Sequence, residues 1–212
     1  MTKHSSNIAV VILAAGASSR MGKPKQLLDW GGSTLLRHAI KTIKEVKVAD
    51  IVVVLGAHSE TVAHSIQDDS ISAIVNSNWH MGLGSSIAYA VSHILESKQN
   101  MEGVLFVLAD QPFVTPMYIE NMLARFKNGE AMIIGTSYDN NKMGVPALFD
   151  SSYFSELALL NGDNGAKDVL IKHKEKLILL NPGFENIDID TKEDYRRVLK
   201  QLRAANSSTD NI

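Results

Sequence analysis

The chain has 212 residues, of which 45% are hydrophobic and 21% are charged, and its formal net charge is −2. This composition allows the buried core of one sizeable α/β domain and is not that of a disordered chain. The charge lacks the basic surplus of a nucleic-acid-binding face, and the absence of cysteine excludes disulfides and cysteine-based zinc or iron–sulfur sites.

The N-terminus is polar, and the apolar run that begins at Ile8 is too short to span a membrane before a glycine interrupts it. No small-residue cleavage site follows a basic region. We therefore expect a cytoplasmic protein. Residues 1–203 are expected to form a single domain, and the polar segment 204–212 is expected to be a disordered tail.

Apolar runs that alternate with helical patterns predict an α/β fold, with a mostly parallel sheet covered by helices on both faces. The predicted strands are Ile8–Leu13, Ile51–Leu55, Ala73–Asn76, Val104–Ala109 and Ala131–Gly135. Helices are predicted to start at the capping residues Ser33 and Ser59, near Gly84, and at Thr115-Pro116.

After about Tyr138 the alternation weakens. The predicted elements there are a turn at Asp139–Lys142, an extended segment Gly144–Phe149, a strand near Leu177–Leu180 and a last helix from Thr191. Ligands of parallel sheets bind at the carboxyl ends of the strands. The residues that directly follow the predicted strands are therefore the candidates for chemistry.

The segment Leu13–Lys25, with the sequence LAAGASSRMGKPK, follows the first predicted strand. Its small residues bring backbone N–H groups to the strand end, and its Arg and Lys side chains can neutralise phosphate oxygens. Five residues separate Gly16 from Gly22 and Pro24 follows Lys23, so the spacing is not that of a P-loop, and a Gly-x-Gly-x-x-Gly motif is absent. The segment predicts a nucleotide loop of a different kind.

Carboxylates follow two other predicted elements. Asp110 closes the fourth strand at the edge where the loop emerges, and hard divalent cations prefer carboxylate oxygen; alternatively, Asp110 caps the following turn. Asp188 and Asp190 share one side of an extended segment, so either could join Asp110 on a metal. Asp190 or Thr191 could instead be the N-cap of the last helix.

The connector Asn76–Ser86 joins a predicted strand to a predicted helix. Gly82 and Gly84 allow close backbone approach, and Ser85 and Ser86 place hydroxyls at the helix start. Both a nucleotide contact and a structural connector with capping serines fit this pattern.

Other chemistries lack their signals. The seven histidines show no His-Glu-x-x-His pairing, and no Gly-x-Ser-x-Gly elbow of a serine hydrolase is present. The aromatic residues are scattered and offer no stacking platform for single-stranded nucleic acid.

In this order, the clusters resemble the molybdenum cofactor cytidylyltransferases, the MocA-like family within the MobA-like NTP transferases. The resemblance covers roughly residues 8–202, and each of its motifs is modest alone, whereas the ordered set is highly specific. The motifs are Leu13–Lys25 (LAAGxSxRMGxxK), Asn76–Ser86 (NxxWxxGLGSS), Leu108–Pro112 (LADQP), Gly144–Phe149 (GxPxLF), Gly162–Lys167 (GDxGA and a base) and Asp188–Asp194 (DIDTxED).

The resemblance implies a Rossmann-like three-layer α/β/α fold of the glycosyltransferase-A type that binds a nucleoside triphosphate and Mg²⁺. The implied nucleotide-binding residues are Leu13, Ala14, Ala15, Gly16, Lys25, Asn76, Gly82, Ser85 and Ser86. The implied catalytic residues are Arg20 and Lys25, on the triphosphate, and Asp110. The implied Mg²⁺ ligands are Asp110 and Asp190, with Asp188 as the alternative. The implied pterin-facing residues are Gly144, Pro146, Gly162, Asp163, Gly165 and Lys167.

The implied reaction transfers CMP from CTP to the terminal phosphate of molybdopterin and releases pyrophosphate. A molybdoenzyme that receives the product is a further implied partner, whereas no nucleic acid and no membrane are expected. The guanylyltransferase relatives usually carry glycine at the position of Ala15, and the extra methyl favours cytosine. Guanylyl transfer, sugar-phosphate nucleotidyl transfer and a non-catalytic cofactor carrier are the alternatives.

The chain departs from the family pattern at two positions. Lys192 follows Thr191 where the family usually has proline, which loosens the expected helix start but keeps the carboxylates. Lys167 stands where arginine is common, and a single ammonium cannot bind a phosphate bidentately. The departure at Lys167 puts its substrate contact in question.

Overall fold

The computed structural model describes residues 7–67, 70–97, 100–138, 142–185 and 187–209, with side chains described as far as residue 202. The strands are β1 (Ile8–Ala14), β2 (Asp29–Trp30), β3 (Ser33–Thr34), β4 (Asp50–Leu55), β5 (Ser72–Val75), β6 (Gly103–Leu108), β7 (Ile133–Tyr138), β8 (Lys142–Asp150) and β9 (Leu177–Leu180). The α-helices are α1 (Leu35–Lys44), α2 (Ser59–Ser65), α3 (Leu83–Glu96), α4 (Pro116–Arg125), α5 (Phe154–Leu157), α6 (Lys167–Lys172) and α7 (Lys192–Thr209).

One sheet contains seven of these strands in the order β5-β4-β1-β6-β8-β7-β9. β1 pairs in parallel with β4 and β6, β4 with β5, and β7 with β9. The predicted mostly parallel sheet is confirmed, as are the five predicted strands and the later ones at Gly144–Phe149 and Leu177–Leu180, within a few residues at their ends.

Strand β8 runs antiparallel to both of its neighbours, β6 and β7, and this reversal was not predicted. Its physical reason is the short link, because only three residues separate Tyr138 from Lys142 and a parallel crossover needs a dozen or more. The predicted turn at Asp139–Lys142 lies outside the described residues except for Lys142, which begins β8.

Helices cover both faces of the sheet. All seven residues of β1 are buried, and alternate side chains enter opposite cores. One core packs β1 against α1, α2 and α4, and the other packs it against α3, α5 and α6. This arrangement is the three-layer α/β/α architecture that the resemblance implied.

Two predicted helix caps are wrong by one residue. Helix α1 is capped by Thr34, whose side chain accepts a hydrogen bond from Arg37 N at 3.2 Å, whereas Ser33 is occupied in the β2–β3 hairpin. Helix α2 is preceded by His58, with φ 60°, and Ser59 is its first residue. The cap at Thr115 is confirmed, since its hydroxyl accepts from Tyr118 N and Pro116 opens α4.

The last helix, α7, begins directly after Thr191. The Thr191 hydroxyl accepts from Asp194 N while Asp194 accepts from Thr191 N, so the two residues cap α7 reciprocally. Side chains of α7 and of the segment 187–189 form a third small core with the β2–β3 hairpin, and this core holds the segment beside the first loop.

The backbone of α7 continues to Thr209, and residues 210–212 lie outside the described part of the chain. Because the side chains from residue 203 onward are also outside the description, the disordered tail at 204–212 stays a prediction. Among the described residues, no helix combines the length and the apolarity that a membrane crossing requires.

Candidate active site

A cluster of alternating charges lies where β1 and β6 end. Lys25 Nζ donates to Asp110 Oδ2 and, at 3.0 Å, to Asp190 Oδ1. Arg20 Nη2 donates to Asp190 Oδ2 at 3.2 Å. The structure therefore brings together two predicted phosphate-binding cations and two predicted metal ligands, although Arg20 and Asp190 are 170 positions apart in the sequence.

The two cations of this cluster differ in their surroundings. Burial alone would lower the pKa of Lys25, but Asp110 and Asp190 outweigh burial and raise it above the ordinary value. Lys25 is therefore charged at neutral pH. The side chain of Arg20 is 69% exposed, so one cation is sheltered and the other is open to solvent.

Gln26, which the sequence did not single out, holds the loop between β1 and Lys25 in place. Its buried amide donates to Ala14 O at 2.7 Å and to Gly16 O at 3.0 Å. The hydroxyl of Ser18 accepts from Lys25 N at 3.0 Å. These bonds satisfy loop carbonyls that a buried loop would otherwise leave unpaired, and they fix the direction of the Lys25 side chain.

A narrow cleft of about 110 Å³ opens beside this cluster. Its walls come from the end of β1, the connector before α3 and the end of β6. The predicted nucleotide-binding and catalytic residues that line it are Leu13, Ala14, Ala15, Gly16, Lys25, Gly82, Ser86 and Asp110. Gln26, Trp79, Leu83, Leu108 and Ala109, which were not predicted, complete the lining.

Asn76 and Ser85 do not line the narrow cleft. The buried Asn76 amide donates to Ser85 Oγ at 2.9 Å and to Ser86 Oγ at 3.2 Å, while Asn76 Oδ1 accepts from Asn78 N. Ser85 Oγ donates to Asn78 O. Asn76 thus orders the connector and the start of α3 from within, and its contact with a nucleotide stays a prediction.

The predicted pterin-facing segment Gly162–Lys167 packs mainly against this connector. Gly84 N donates to Gly162 O at 2.8 Å, and Gly162 N donates to Met81 O at 2.9 Å. A Cβ on Gly84 would lie 2.5 Å from Asn161 O, so only glycine permits this approach. Gly162, Asp163 and Gly165 therefore lie against the wall of the narrow cleft.

A wide cavity of about 860 Å³ begins on the other side of the β6 end. Gly144 and Lys167 line it, as predicted for an acceptor site, whereas Pro146 does not. Its charged residues are the cations Lys142, Lys167 and Arg197 and the acids Glu185 and Asp188. Its apolar side chains are Leu108, Met143, Val145, Pro182, Phe184 and Ile187. The cavity can accept a sizeable ligand that combines an apolar body with negative charge.

Three buried side-chain oxygens lack a hydrogen-bond partner within the described part of the chain. They are Asp110 Oδ1, Gln111 Oε1 and the hydroxyl of Tyr138. Asp110 lines the narrow cleft, and the other two residues line the wide cavity. An unpaired buried polar group costs free energy. Three such oxygens at one edge of the sheet therefore indicate a place where a ligand supplies the missing hydrogen bonds.

Asp188 lines the wide cavity next to Gln111. It accepts from Gln111 Nε2 at 2.8 Å and is exposed to the solvent of the wide cavity. The surrounding protein atoms, followed by the charges of Asp110 and Asp190, raise its pKa. Unlike Asp190, Asp188 makes no ion pair with Lys25 in the described structure.

The carboxylates of the cluster fit a divalent cation that arrives with its own phosphate ligands. Among the described residues, no group of three or more His, Asp or Glu side chains is arranged to hold a metal ion alone. Asp110 nevertheless offers the unpaired Oδ1, and Asp190 lies opposite it across Lys25. Mg²⁺ characteristically takes one or two carboxylates and fills its other positions with substrate phosphates and water.

The comparison with known families agrees with this geometry. The model of the MobA-like NTP transferase domain matches residues 10–177. The chain belongs to this family. It is thus a member of a nucleotidyltransferase family, and the matched span contains the loop, the connector, Asp110 and the wide-cavity residues of β7 and β8.

Individual MobA-like relatives have diverse names. The chain is 30% identical over 198 residues to nicotine blue oxidoreductase from Paenarthrobacter nicotinovorans, a match that covers 89% of this chain and 95% of the relative. The crystal structure of Rv0371c from Mycobacterium tuberculosis H37Rv is similar with a TM-score of 0.80 and 27% identity, over 93% of this chain and 99% of that one. A complex of Rv0371c with manganese matches with a TM-score of 0.75 and 26% identity, over 92% and 99% of the two chains.

Sequence reasoning missed Gln26, Gln111 and Tyr138 as members of the site. Gln111 stood inside the LADQP motif, so its position at a strand end was an available signal. Gln26 followed Lys25 directly, but no spacing rule marks a glutamine that bonds to loop carbonyls. Tyr138 gave no signal, because its position depends on the unpredicted reversal at β8.

Proposed function

We propose that this protein is a CTP:molybdopterin cytidylyltransferase. An oxygen of the terminal phosphate of molybdopterin attacks the α-phosphorus of CTP, the bond from that phosphorus to the bridging oxygen breaks, and pyrophosphate leaves. The observation that carries the proposal is the cluster of Arg20, Asp190, Lys25 and Asp110. Lys25 and Asp110 line the narrow cleft, and Gln111, which follows Asp110 directly, lines the wide cavity. This is the arrangement required for two substrates that meet at a phosphate.

The chain needs no nucleophile of its own for this reaction, since the attacking phosphate is already anionic. Its contribution is to align the reactants and to neutralise charge. In the structure Lys25 pairs with Asp110 and Asp190, and Arg20 pairs with Asp190. A triphosphate competes for both cations, so we expect Lys25 and Arg20 to turn from the carboxylates to the phosphate oxygens when CTP binds.

Asp110 and Asp190 would hold the divalent cation, with Asp188 as the alternative second ligand. When bound, Mg²⁺ would supply positive charge to the α-phosphate and to the leaving oxygens. The buried Oδ1 of Asp110 supports this assignment, because it has no hydrogen-bond partner within the described part of the chain and is available to a metal ion. Lys25 supplies the positive partner of both carboxylates in the structure, and a bound divalent cation would supply it in place of Lys25.

The choice of CTP rests on the walls of the narrow cleft. Ala15 is buried, its carbonyl accepts from Ala57 N at 3.0 Å, and it lies close to Gly56, so the methyl group has little room to move away from the cleft. A smaller pyrimidine fits beside that methyl more easily than a purine does. One methyl is worth only about 1–3 kcal/mol of discrimination, so guanylyl transfer is the second nucleotide option.

The choice of molybdopterin as acceptor rests on the ordered set of motifs and on the size and charge of the wide cavity. Lys142, Lys167 and Arg197 outnumber Glu185 and Asp188 in the lining and suit an anionic ligand, and the apolar residues of the lining suit a ring system. The lining alone does not separate the pterin from a sugar phosphate, because Gln111, Ser137 and Tyr138 offer partners to hydroxyls as well. The ordered set of motifs favours molybdopterin.

A reductase is a second candidate, because nicotine blue oxidoreductase is 30% identical over most of both chains. Hydride transfer from a reduced nicotinamide dinucleotide would require no carboxylate pair for a metal. The cluster of Asp110 and Asp190 therefore favours nucleotidyl transfer, and the two candidates can be separated by experiment. A non-catalytic carrier of the cofactor would likewise need no cluster that grips a triphosphate.

The test offers the purified protein CTP, GTP or ATP with Mg²⁺ and molybdopterin, and follows pyrophosphate. We expect turnover with CTP, slower turnover with GTP and dependence on the acceptor. A parallel assay follows the absorbance of a reduced nicotinamide dinucleotide in the presence of nicotine blue. Oxidation of the dinucleotide without pyrophosphate release would establish the reductase, and tight molybdopterin binding without either reaction would establish the carrier.

A further inference from the structure

We propose that Gln111 and Tyr138 form an acceptor-recognition pair, whose ligand carries an N–H or O–H donor close to its reactive phosphate. This inference deepens the proposed nucleotidyl transfer and rests on it for the identity of the acceptor. Both residues line the wide cavity, and both present a buried oxygen without a hydrogen-bond partner within the described part of the chain. They come from the ends of two different strands, β6 and β7.

The amide of Gln111 has a fixed direction. Gln111 is 5% exposed, and its Nε2 donates to Asp188 Oδ1 at 2.8 Å. A flipped amide would turn Oε1 toward the carboxylate of Asp188, and two acceptors would then face each other. The orientation with Oε1 away from Asp188 is therefore strongly favoured, and that oxygen can only accept. A ligand that satisfies Gln111 must donate.

The hydroxyl of Tyr138 lies near Gln111 and Thr136 but makes no hydrogen bond of ordinary geometry with either. Thr136 is already committed, since its hydroxyl accepts from Tyr118 and donates to Pro146 O at 2.6 Å. Burial, followed by the charge of Asp188, raises the pKa of Tyr138 far above the physiological range. The hydroxyl therefore keeps its proton and can both donate to and accept from a ligand.

The packing of Gly144 holds the Tyr138 ring at the cavity wall. A Cβ at position 144 would lie 3.2 Å from Tyr138 Cε2, which is tighter than ordinary contact. Gly144 was predicted to face the acceptor because it belongs to the GxPxLF motif. In the structure, the atom nearest to a Cβ at position 144 belongs to the aromatic ring of Tyr138. A side chain at position 144 would therefore change acceptor binding through Tyr138.

The chemistry of the ligand follows from these two side chains and from their place. Gln111 follows Asp110 directly, so a group bound to Gln111 lies beside the position proposed for the reacting phosphate. The amide oxygen requires an N–H or O–H donor, and Tyr138 adds a second bond to the same group or to its neighbour. A nitrogen heterocycle with ring N–H groups next to a phosphate ester meets these requirements, and so does a sugar phosphate through its hydroxyls, whereas an alkyl phosphate does not. The proposed function selects the heterocycle.

A role in binding and a purely structural role predict opposite effects on stability. An unpaired buried hydroxyl costs free energy in the unliganded protein, so its removal should not destabilise the fold. Tyr118 provides the matched control on an adjacent element, because its hydroxyl donates to Thr136 Oγ1 at 2.8 Å, with Leu180 O at 3.3 Å as a second acceptor for the same hydrogen. Removal of the Tyr118 hydroxyl should lower the melting temperature.

The experiment compares wild type, Tyr138→Phe, Gln111→Met and Tyr118→Phe in the absence of turnover. Affinities for molybdopterin and for CTP are measured separately by titration calorimetry, and melting temperatures are measured without ligand. We expect Tyr138→Phe and Gln111→Met to weaken molybdopterin binding roughly 5- to 100-fold and to leave CTP binding unchanged. Tyr118→Phe should bind both ligands like wild type but melt about 2–5 °C lower.

Tyr138→Phe should melt at or above the temperature of wild type. Two results would overturn the proposed recognition pair. Tyr138→Phe could bind molybdopterin as tightly as wild type does, or its melting temperature could fall as far as that of Tyr118→Phe. If wild type binds CTP but not molybdopterin, the proposed acceptor is wrong. The melting temperature of Tyr138→Phe then decides the pair by itself, since a retained value supports an unpaired ligand-binding hydroxyl and a lowered value contradicts it.

Discussion

The narrow cleft and the wide cavity share the end of β6 but are built in different ways. In the narrow cleft, polar side chains such as Gln26 are bonded to the backbone, as is Asn76 behind the wall, and the one unpaired oxygen in the described lining is Asp110 Oδ1, at the proposed metal position. In the wide cavity, Gln111 and Tyr138 keep an unpaired oxygen, and the volume is about 860 Å³ against 110 Å³. The contrast indicates that the narrow cleft is preorganised for a standard substrate, whereas the wide cavity leaves its selective contacts to the ligand.

The largest effect is expected where the two spaces meet. Asp110→Asn removes a charge that pairs with Lys25 and that would hold the divalent cation, while it keeps the shape of the side chain. We expect pyrophosphate release from CTP to fall about 10²–10³-fold, the typical loss when one such charge contact is removed. The matched control is Asp168→Asn on α6, whose exposed carboxylate accepts hydrogen bonds from Asn164 Nδ2 at 3.4 and 3.1 Å.

Asp168→Asn should turn over at the wild-type rate. If Asp110→Asn keeps more than a tenth of the wild-type rate, Asp110 is not at the reaction centre, and the two spaces do not converge there. Circular dichroism of both variants checks that the fold is retained.

The second effect tests whether the narrow cleft is preorganised. Gln26→Ala leaves the carbonyls of Ala14 and Gly16 without their donor, so we expect the free energy of unfolding to fall by about 1–3 kcal/mol. The KM for CTP should rise, and the affinity for the acceptor should stay the same. Denaturant titration and steady-state kinetics measure these changes, with Gln67→Ala at an exposed position as the control.

A rise in the acceptor dissociation constant of Gln26→Ala as large as the rise in KM for CTP would contradict the division between the two spaces. Loss of stability without any change in KM would mean that Gln26 supports the fold alone.

A smaller effect is expected at Gly144, on the other side of β6. Gly144→Ala places a methyl 3.2 Å from the Tyr138 ring, which must move by a few tenths of an ångström. We expect acceptor binding to weaken several-fold while CTP binding is unchanged, as measured by calorimetry. Gly129→Ala is the control, because it imposes backbone strain at φ +78° but meets no atom within 4 Å. Equal acceptor affinities of the two variants would argue against transmission through Tyr138.

The parts of the fold that follow from local pattern were predictable from the sequence. The continuous apolar run of β1 can only be a fully buried strand or helix segment, and its short length before glycine favours the strand. The convergence of Lys25 and Asp110 followed from the rule that parallel strands end at one edge. The capping residue of α1 was harder to predict, because Ser33 and Thr34 are adjacent and either hydroxyl could cap the helix.

The parts that depend on tertiary reversal were not predictable. Tyr138 and Gly144 become neighbours only because β8 turns back against β7. The segment around Gly162 matched a motif, but its backbone bonds to Met81 and Gly84 depend on how α3 and the following loops pack. A motif identifies which residues matter in a family, whereas the packing decides what each of them touches.

The smallest effect concerns the support beneath the wide cavity and is pH-dependent. Glu156 on α5 accepts from Lys172 at 2.8 Å and pairs with His173 at 2.7 Å, at the end of the helix that begins with Lys167. These partners lower the pKa of Glu156 below its ordinary value of 4.5, Lys172 most of all. The ionised Glu156 therefore contributes fully to the free energy of unfolding above about pH 4.5. This contribution is lost as the pH falls through the lower pKa that Glu156 has in the folded state.

Glu156→Gln should lower the free energy of unfolding by less than about 1 kcal/mol at pH 7, because the pair is partly exposed and screened by solvent. The difference from wild type should shrink as the pH is lowered below 4.5, as measured by denaturant titration at several pH values. Acceptor binding should weaken slightly if the position of α6 matters for Lys167, and CTP binding should not change. A difference that grows as the pH falls below 4.5 would have the wrong sign for a carboxylate whose pKa is lowered in the folded state, and would contradict the role of its charge.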